Sequence, residues 1–343
     1  MSNLEKLENE FKNSEKIEKP FWELWQQNPR SKIRKKIIVA GIGGGGGHAV
    51  HRMLDYGIQG IDYIIVDTDK QDLFSYRPNI RIQIGEKLTK GLGTGANPDI
   101  GQKAAEESHE ILADRIRGAD MVFVIAGLGG GTGTGAAPVI AEYAKQEGIL
   151  TLGVVMPPFF FEGKRRKSQA EDSIVKLKEC TDALVVMPND FLLALIDQRS
   201  TLEDIFSMSD EMLCQSVQGI TDMIVKPGLI NADFADLRAM LSGAGIIHVG
   251  FGAAKGYNGA AAAARYAVRN VMFRAQREAP VTKRFNVLVS LTGGVGLTLF
   301  EAIEAVKTVE DETYPSADIL FNVFTDRALQ DEVQITIIVA NSP

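Results

Sequence analysis

Five consecutive glycines, Gly43–Gly47, separate a short apolar run from a segment of helical character. Glycine lets a backbone approach a ligand closely, and the free N–H groups at the start of a helix bind anions such as phosphate. The spacing G-x-G-x-x-G, typical of dinucleotide-binding folds, is formed by Gly41, Gly43 and Gly46. Asp67 ends the next apolar run, at about the 20 residues expected for a carboxylate that binds ribose. A nicotinamide cofactor is therefore the first interpretation to test.

Two further glycine-rich segments argue against a nicotinamide cofactor. The segment "LGGGTGTGAAP" (Leu128–Pro138) follows the strand-like run "MVFVIAG" and opens a helix at about Gly135, and "GLGTGANP" (Gly91–Pro98) follows "RIQIGEKL". In a parallel sheet such loops bring their helix N-termini to one crevice, where Thr132 and Thr134 add hydroxyl donors. A dinucleotide needs one glycine turn for one pyrophosphate. Three loops indicate a terminal triphosphate instead.

A lysine-containing phosphate loop is missing from the sequence. No segment has the form G-x-x-x-x-G-K-[ST], because Gly46 and Gly47 are followed by His48 rather than by lysine. The phosphate charge must then be neutralised by backbone N–H groups, helix dipoles and Mg²⁺. His48 stands next to the first turn and can donate a hydrogen bond to a phosphate or to the sugar.

The composition is typical of a globular protein, with 343 residues, of which 45% are hydrophobic and 24% charged. The formal net charge of −7 argues against general nucleic-acid binding, which needs a basic surface. Cys180 and Cys214 fall in predicted helices, and the four histidines form no zinc-type cluster with them. No signal peptide is evident, and no apolar run reaches the roughly 18 residues of a membrane span. We expect a cytoplasmic protein without disulfides, a transmembrane segment or a protein-held metal.

Residues 1–35 are predicted to form an N-terminal arm, helical or partly disordered, because a charged stretch stops at Pro20 and the basic segment "RSKIRKK" follows. From Lys36 onwards strand-like and helical runs alternate, which specifies a mainly parallel sheet with helices on both faces. The predicted strands are 36–41, 62–67, 119–126, 149–155 and 183–187, and the predicted helices are 47–56, 100–117, 134–147 and 164–179.

A long helical pattern from Thr201 to about Ile224 carries apolar residues at helical spacing. A second, smaller α/β unit follows, with a helix from about Asp233 and predicted strands at 245–251, 285–291, 317–323 and 333–340. The predicted fold class is therefore α/β, with a doubly wound parallel sheet. Its predicted divisions are a nucleotide-binding domain at 36–200, a central helix and linker at 201–229, and a C-terminal domain at 230–343.

Several segments together identify a family. The segment "GGGTGTGAAP" is the signature loop of the tubulin superfamily, and "RGADMVFV", "FEGKRR", "PND", "VQGITDMI", "PGLINADFAD" and "LTGGVGLTLFE" resemble segments of the FtsZ family in the same order. The resemblance runs from about Lys36 to Val339. It implies a tubulin/FtsZ-like fold, in which a long central helix joins a GTP-binding domain to a smaller C-terminal activation and polymerisation domain.

The resemblance also assigns residues to the nucleotide. It implies that Phe206 stacks on guanine and that Asp210, one helical turn later, accepts hydrogen bonds from the base; adenine offers no such pair of donors. Glu162, Arg166 and Asn189 fall where the family contacts ribose and the edge of the base. The other residues expected to bind GTP or GDP with Mg²⁺ are Gly43, Gly44, Gly45, Gly46, Gly47, His48, Asp67, Thr94, Gly95, Ala96, Asn97, Gly129, Gly130, Gly131, Thr132, Gly133, Thr134 and Gly135.

Asn231, Asp233 and Asp236 in "NADFAD" are the predicted catalytic residues. Taken alone, the pattern is explained by helix capping, with Asn231 as the N-cap and two acids in the first turn that suit the helix dipole. The segment follows the long helix, away from the glycine loops, so it cannot easily reach the nucleotide of its own chain. The resemblance implies that it acts on GTP held by the next subunit of a head-to-tail filament, where the acids orient and polarise the attacking water.

The first glycine loop departs from the family pattern. Gly47, His48 and His51 stand where asparagines are usual, and Asp67 replaces a typical asparagine. The added negative charge of Asp67 predicts weaker nucleotide binding or an altered Mg²⁺ dependence. Two functions stay open: a self-assembling GTPase of the cell-division ring, and a family member that binds GTP and assembles or regulates filaments with little hydrolysis. The expected partners are further copies of the chain and cell-division accessory proteins at the division site.

Overall fold

The computed structural model describes residues 35–58, 60–194, 199–226, 228–230, 232–256, 258–278, 285–313 and 317–341. The chain from Lys35 onwards forms one compact unit. The predicted N-terminal arm lies outside the described residues except for its last residue, so its conformation stays a prediction. Across the described ranges, no helix is both long and apolar enough to cross a bilayer.

The N-terminal part of the described chain builds a parallel sheet. Its strands are β1 (Ile37–Ile42), β2 (Asp62–Asp67), β3 (Arg81–Gln83), β4 (Met121–Gly127), β5 (Leu150–Met156) and β6 (Ala183–Val186), in the spatial order β3-β2-β1-β4-β5-β6. The helices are α1 (Gly43–Asp55), α2 (Lys70–Phe74), α3 (Glu86–Thr89), α4 (Pro98–Glu107), α5 (His109–Ile116), α6 (Thr132–Gln146) and α7 (Lys164–Cys180). The strand order reverses between β1 and β4, and α/β sheets bind ligands beside such a switch point.

The central strands are apolar along their whole length because both faces of the sheet are buried. In β1, Ile37 and Val39 pack into a core that includes residues of α1, whereas Ile38 and Ala40 pack into a core that includes residues of α4, α6 and α7. Successive side chains of a strand point to opposite faces. The continuous apolar runs of the sequence are thus explained by helices on both sides.

The C-terminal part adds α8 (Leu202–Val225), α9 (Phe234–Leu241), β7 (Gly245–Lys255), α10 (Gly259–Glu278), β8 (Phe285–Gly293), α11 (Leu299–Glu312), β9 (Asp318–Thr325) and β10 (Glu332–Asn341). The spatial order continues β7-β10-β8-β9, with β10 antiparallel to both neighbours. Since β7 also pairs in parallel with β6, one ten-stranded sheet of the described residues runs through both parts. The predicted α/β class with a mainly parallel sheet is confirmed, and the β6–β7 pairing is a connection that the sequence does not predict.

Several boundaries differ from the prediction. α1 begins at Gly43 and α6 at Thr132, so glycines predicted as loop residues form the first turns of helices. The predicted helix 100–117 is two helices that meet at Ser108, whose hydroxyl oxygen accepts the Gly85 N–H at 2.9 Å. The short strand β3 was not predicted, because three residues are too few to show a periodic pattern.

The start of α9 also differs from the prediction. Its N-cap is Asp233, whose side chain accepts the Asp236 N–H at 2.9 Å, while the Asp236 side chain accepts the Asp233 N–H at 3.0 Å. This reciprocal pair is a capping box. The prediction that Asn231 is the N-cap is therefore wrong, and Asn231 itself lies outside the described residues.

Helix α6 packs on the start of α4 through Gly135. A Cβ atom there would lie 1.9 Å from the Pro98 carbonyl oxygen and 2.7 Å from the Gln102 backbone nitrogen. Gly135→Ala is therefore expected to lower the free energy of unfolding by about 1–3 kcal/mol, because the two helices must move apart. Urea unfolding measures the change, with Gly296→Ala as control because its Cβ would enter open space. Equal shifts in the two variants would contradict the prediction.

Candidate functional site

A cavity of about 830 Å³ opens at the carboxyl ends of the parallel strands. The loops after β1, β2, β4 and β5, the segment around residue 94 and the first half of α8 form its walls. The structure thus brings together most of the predicted nucleotide-binding residues. Those that line the cavity are Gly43, Gly44, Gly45, His48, Asp67, Thr94, Gly95, Ala96, Gly130, Gly131, Thr132, Gly133, Glu162, Arg166, Asn189, Phe206 and Asp210.

The other predicted nucleotide-binding residues do not line this cavity, and three of them, Asn97, Thr134 and Gly135, line a separate cavity of about 760 Å³. The Asn97 side chain caps α4, and the Thr134 hydroxyl oxygen accepts the Gly129 N–H at 2.9 Å. A Cβ atom on Gly46 would lie 2.4 Å from a carbonyl oxygen of β4, so this glycine lets α1 pack closely on the sheet. The residues of this group are Gly46, Gly47, Asn97, Gly129, Thr134 and Gly135.

The glycine loops touch one another at one end of the cavity. A Cβ on Gly43, which has a φ of +69°, would lie 2.8 Å from the Gly133 nitrogen, and a Cβ on Gly131 would lie 1.9 Å from Thr94 Oγ1. Helices α1 and α6 follow Ile42 and Gly131, whose side chains contain no hydrogen-bond acceptor. The first-turn N–H groups of both helices are thus available to an anion such as a phosphate chain.

Asp67 lies beneath this end of the cavity and is only 4% exposed. Its carboxylate accepts the Thr68 N–H at 2.7 Å, and the Thr68 hydroxyl lies 2.8 Å from the hydroxyl of Thr132. Burial raises the pKa of Asp67, although hydrogen bonds from Asp69, Thr68 and Thr132 act in the opposite direction. This acid therefore ionises less readily than an exposed one.

The other end of the cavity suits a purine base. Phe206 on α8 is 47% exposed, and the ring of Phe159 meets its edge with centroids 5.6 Å apart. Asp210 follows one turn later on the same helix and lines the same cavity. Asn189 is held by the Ser209 hydroxyl, which donates to its Oδ1 at 2.7 Å. An aromatic face and a carboxylate are thus presented together to one ligand.

Arg52 lines the cavity but was missed from the sequence. Its Nε lies 3.1 Å from Asp210 Oδ2, and its Nη2 donates to the Ser207 hydroxyl at 2.7 Å. Burial raises the pKa of Asp210, while the charges of Arg52 and His48 lower it. A four-residue spacing places His48 and Arg52 on one face of α1, which is the signal that could have identified Arg52.

Glu162 and Arg166 form an ion pair across one turn at the start of α7. The second oxygen of Glu162 accepts the Phe159 N–H at 2.9 Å, which ties this charged segment to the aromatic turn before it. The sequence alone cannot distinguish this arrangement from a solvated run of charges. Further lining residues that sequence reasoning missed are Asp69, Asp72, Leu92, Gly93, Glu203, Ser207 and Ser209.

The predicted catalytic acids do not reach this cavity. Two contacts place helix α9 at the amino ends of the strands. Arg238 Nη2 of α9 donates to the carbonyl of Gly148, which precedes β5. The ammonium of Lys35, which precedes β1, lies 4.9 Å from the centroid of the Phe234 ring of α9. The six residues of β1 span about 20 Å at a rise of about 3.3 Å each. Asp233 and Asp236 are therefore separated from their own cavity by the height of the sheet.

A protein-held metal site is not evident at the cavity. Among the residues that the structure describes, no three His, Cys, Asp or Glu side chains are grouped so that they could hold an ion. Asp67 and Asp69 do line the cavity, and Mg²⁺ commonly binds through one or two carboxylates together with water and substrate phosphates. The donor set fits a cation that enters with the nucleotide.

Two family models match the chain. The model described as "Tubulin/FtsZ family, GTPase domain" matches residues 36–197, and the model described as "FtsZ family, C-terminal domain" matches residues 245–342. Together they account for both parts of the sheet.

Solved structures agree with these matches. An empty FtsZ dimer of M. jannaschii is 38% identical to this chain, with a TM-score of 0.82 over 93% of this chain and 90% of that chain. CetZ1 from Haloferax volcanii, a GDP-bound monomer, is 22% identical, with a TM-score of 0.74 over 90% of this chain and 94% of that chain. CetZ2 from the same organism, a GTPγS-bound protofilament, is 21% identical, with a TM-score of 0.69 over 89% and 92%. The CetZ matches show a shared fold, and the FtsZ match and the two family models show that the chain belongs to the Tubulin/FtsZ family.

Proposed function

We propose that the protein is a self-assembling GTPase in which the acids of one subunit hydrolyse GTP held in the cavity of the next. Membership of the Tubulin/FtsZ family implies guanine-nucleotide binding. The observation that carries the proposal is the separation of Asp233 and Asp236, at the amino ends of the strands, from a cavity at their carboxyl ends. One subunit cannot complete the site, whereas two subunits stacked in the same orientation can.

In this proposal the nucleotide lies along the cavity with its base at α8. Phe206 stacks on guanine, and the Asp210 carboxylate accepts hydrogen bonds from the ring N–H and the exocyclic amine. The triphosphate lies against the first turns of α1 and α6, and the loop from Thr94 to Asn97 lies beside it. The exposed ring of Phe206 and the partly exposed ion pair of Asp210 and Arg52 support this orientation.

Asp233 and Asp236 have the chemistry needed to position water. Both are exposed, and the capping box uses one oxygen of each carboxylate, which fixes the two groups relative to the helix. Phosphoryl transfer depends mainly on positioning and on electrostatic stabilisation. We propose that the acids orient and polarise the water that attacks the terminal phosphate of the neighbour's GTP. Mg²⁺, when bound with the nucleotide near Asp67 and Asp69, supplies charge neutralisation for the phosphates.

Such a contact joins two different surfaces and does not close on itself, so it generates a filament. Two of the similar structures are assemblies, since one is an FtsZ dimer and one a CetZ2 protofilament. We further propose a role in cell division at the division site, where accessory proteins act on the filament. This finer role rests on the likeness to FtsZ.

A second candidate is a family member that binds GTP and assembles or regulates filaments with little hydrolysis. The departures in the first glycine loop favour it, because His48 and Asp67 both line the cavity at the phosphate end. The presence of both acids, Asp233 and Asp236, exposed at the start of α9, favours the hydrolytic function. Only a measurement of turnover separates the two.

The proposed function predicts that GTP hydrolysis per subunit rises with protein concentration. Below a critical concentration the site lacks its acids, and above it each added subunit forms a complete site. Phosphate release is measured against protein concentration with GTP and Mg²⁺, alongside sedimentation. Filaments without phosphate release would support the second candidate instead. A full hydrolysis rate in dilute monomers would contradict both catalysis across the interface and the assignment of the acids.

A further inference from the structure

Two buried polar side chains meet at the end of the cavity that suits a base. Asn189 and Ser209 are 8% and 5% exposed, and both line the cavity. The Ser209 hydroxyl lies 2.7 Å from Asn189 Oδ1 and 2.9 Å from the sulfur of Met156. A hydroxyl has one proton to donate, and a thioether is a much weaker acceptor than an amide oxygen. The proton of Ser209 therefore goes to Asn189.

This hydrogen bond fixes the side-chain amide of Asn189 in one of its two orientations. Because Ser209 holds Oδ1, the amide nitrogen Nδ2 is the group that remains for a ligand. Nδ2 makes no hydrogen bond to any residue that the structure describes, although more than nine-tenths of the side chain is buried. A buried donor without an acceptor is unfavourable. Asn189 therefore favours a ligand atom that accepts a hydrogen bond.

The backbone that carries Asn189 is held in place as well. The side chain of Asp190 accepts the Phe160 N–H at 2.9 Å. Leu192, on the same short turn, packs in a small buried cluster with Ile205 of α8. The amide is thus fixed both by its own hydrogen bond and by the turn on which it stands. A group prepared in this way loses little conformational freedom when the ligand binds.

We propose that Ser209 is a positioning residue for base recognition, which holds the Asn189 amide so that Nδ2 donates to O6 of guanine. This inference rests on the proposed function, in which guanine lies at α8 and gives its ring N–H and exocyclic amine to Asp210. The atom next to that ring N–H is O6, which only accepts hydrogen bonds. Adenine has an amine at this position, which would place a donor against the donor of Asn189. A site built for one hydrogen-bond pattern rejects a ligand with the opposite pattern.

The test compares GDP with 6-thio-GDP, in which sulfur replaces O6 while the ring N–H and the exocyclic amine remain. Calorimetry measures both affinities at a concentration at which the protein is monomeric. We expect the unmodified protein to bind GDP about three- to tenfold more tightly than 6-thio-GDP, because sulfur is the weaker acceptor. In Ser209→Ala this preference should fall below about twofold, because the amide of Asn189 is then free to turn over.

Further variants separate positioning from packing. Ser209→Thr keeps the hydroxyl and should restore the preference for GDP. Asn189→Ala should abolish the preference, and Ser209→Ala added to it should have no further effect on the ratio of the two affinities. Ser216→Ala is the matched control, because it removes a buried hydroxyl two turns later on α8 that donates to the Met212 carbonyl and does not line the cavity. It should leave the ratio unchanged.

If Ser209→Ala weakened the binding of GDP and 6-thio-GDP by the same factor, the hydroxyl would serve packing alone and the proposal would be overturned. An unmodified protein that binds GDP no more tightly than 6-thio-GDP would also overturn it, while leaving the proposed function intact. If the unmodified protein binds neither nucleotide, it is the proposed function that fails.

Discussion

Asp236→Asn is expected to lower GTP hydrolysis per subunit by about 100-fold or more, since a positioned carboxylate contributes at least that much to proton transfer and water activation. Affinity for GTP should not change, because Asp236 lies across the sheet from its own cavity. Asparagine keeps an oxygen that can accept the Asp233 N–H, so the capping box survives. Phosphate release above the critical concentration measures the rate, and calorimetry measures the affinity.

The same variant gives a direct test of catalysis across the interface. Asp236→Asn has an intact cavity, and Asp210→Ala has intact acids but a defective cavity. In an equimolar mixture about one interface in four pairs a sound cavity with sound acids, since the contact joins unlike surfaces. At a GTP concentration too low to fill the Asp210→Ala cavity, activity should therefore appear on mixing two proteins that are each nearly inactive. A mixture as inactive as its components would place the acids and the nucleotide in the same subunit or outside the reaction.

A second capping box provides a control that separates an effect on protein stability from an effect on GTP hydrolysis. Thr298 and Glu301 make the same reciprocal contacts at the start of α11. Thr298→Ala removes a cap at a cost of about 1 kcal/mol, without touching an acid of α9. Hydrolysis by this variant should stay near that of the unmodified protein. If Thr298→Ala lost as much activity as Asp236→Asn, the loss in both variants would be explained by a weakened helix N-terminus and not by the missing carboxylate.

Asp210→Asn should weaken GTP binding by about 10- to 100-fold, which corresponds to the loss of a hydrogen bond to a charged group worth about 1.5–3 kcal/mol. In the proposed binding mode the carboxylate accepts hydrogen bonds from two donors of guanine, whereas the asparagine amide would turn a donor toward one of them. Discrimination against ATP should fall as well. Glu211→Gln, the same charge change at the next position of α8 and outside the cavity lining, is the control.

The affinity for GTP should also depend on pH through Asp210. In the proposed binding mode guanine needs the ionised carboxylate. Burial raises the pKa of Asp210, while the charges of Arg52 and His48 act in the opposite direction. Binding is therefore strongest above this pKa and is lost as the pH falls through it, at a higher pH than the ordinary value of about 3.9 would give. Calorimetry at a series of pH values from neutral downward measures the curve. The part of it that disappears in Asp210→Asn belongs to this residue, and identical curves would contradict the assignment.

Much of the fold follows from local patterns. Apolar runs that alternate with helical segments predict the parallel sheet, because strands buried on both faces must be apolar throughout. The split of 100–117 into two helices depends on the contact of Ser108 with Gly85, 23 residues earlier, which no local pattern contains. The β6–β7 pairing likewise joins strands separated by α8 and α9.

In the site, too, features set by local sequence are predictable, whereas contacts between distant residues are not. The glycine loops predict a phosphate site, because their backbone freedom and helix starts are visible in the sequence. Arg52 was missed because its partner Asp210 lies on another helix, more than 150 residues later. Asparagine is a good cap, which predicts Asn231 as the N-cap of α9, yet the D-x-x-D spacing of Asp233 and Asp236 is that of the capping box that the structure contains.

The hydrogen bonds between β6 and β7, from Ala183↔Gly245 to Val185↔Ile247, have a mechanical consequence. If the two parts were joined only by a flexible linker, the linker would extend before force passed from one part to the other. In this protein, tension along a filament would pass from one part to the other through the backbone hydrogen bonds between β6 and β7, as well as through α8. The force would act parallel to these strands and would load all of their hydrogen bonds together. Each subunit would then behave as a rigid body, and any bending of the filament would occur mainly at the interfaces between subunits.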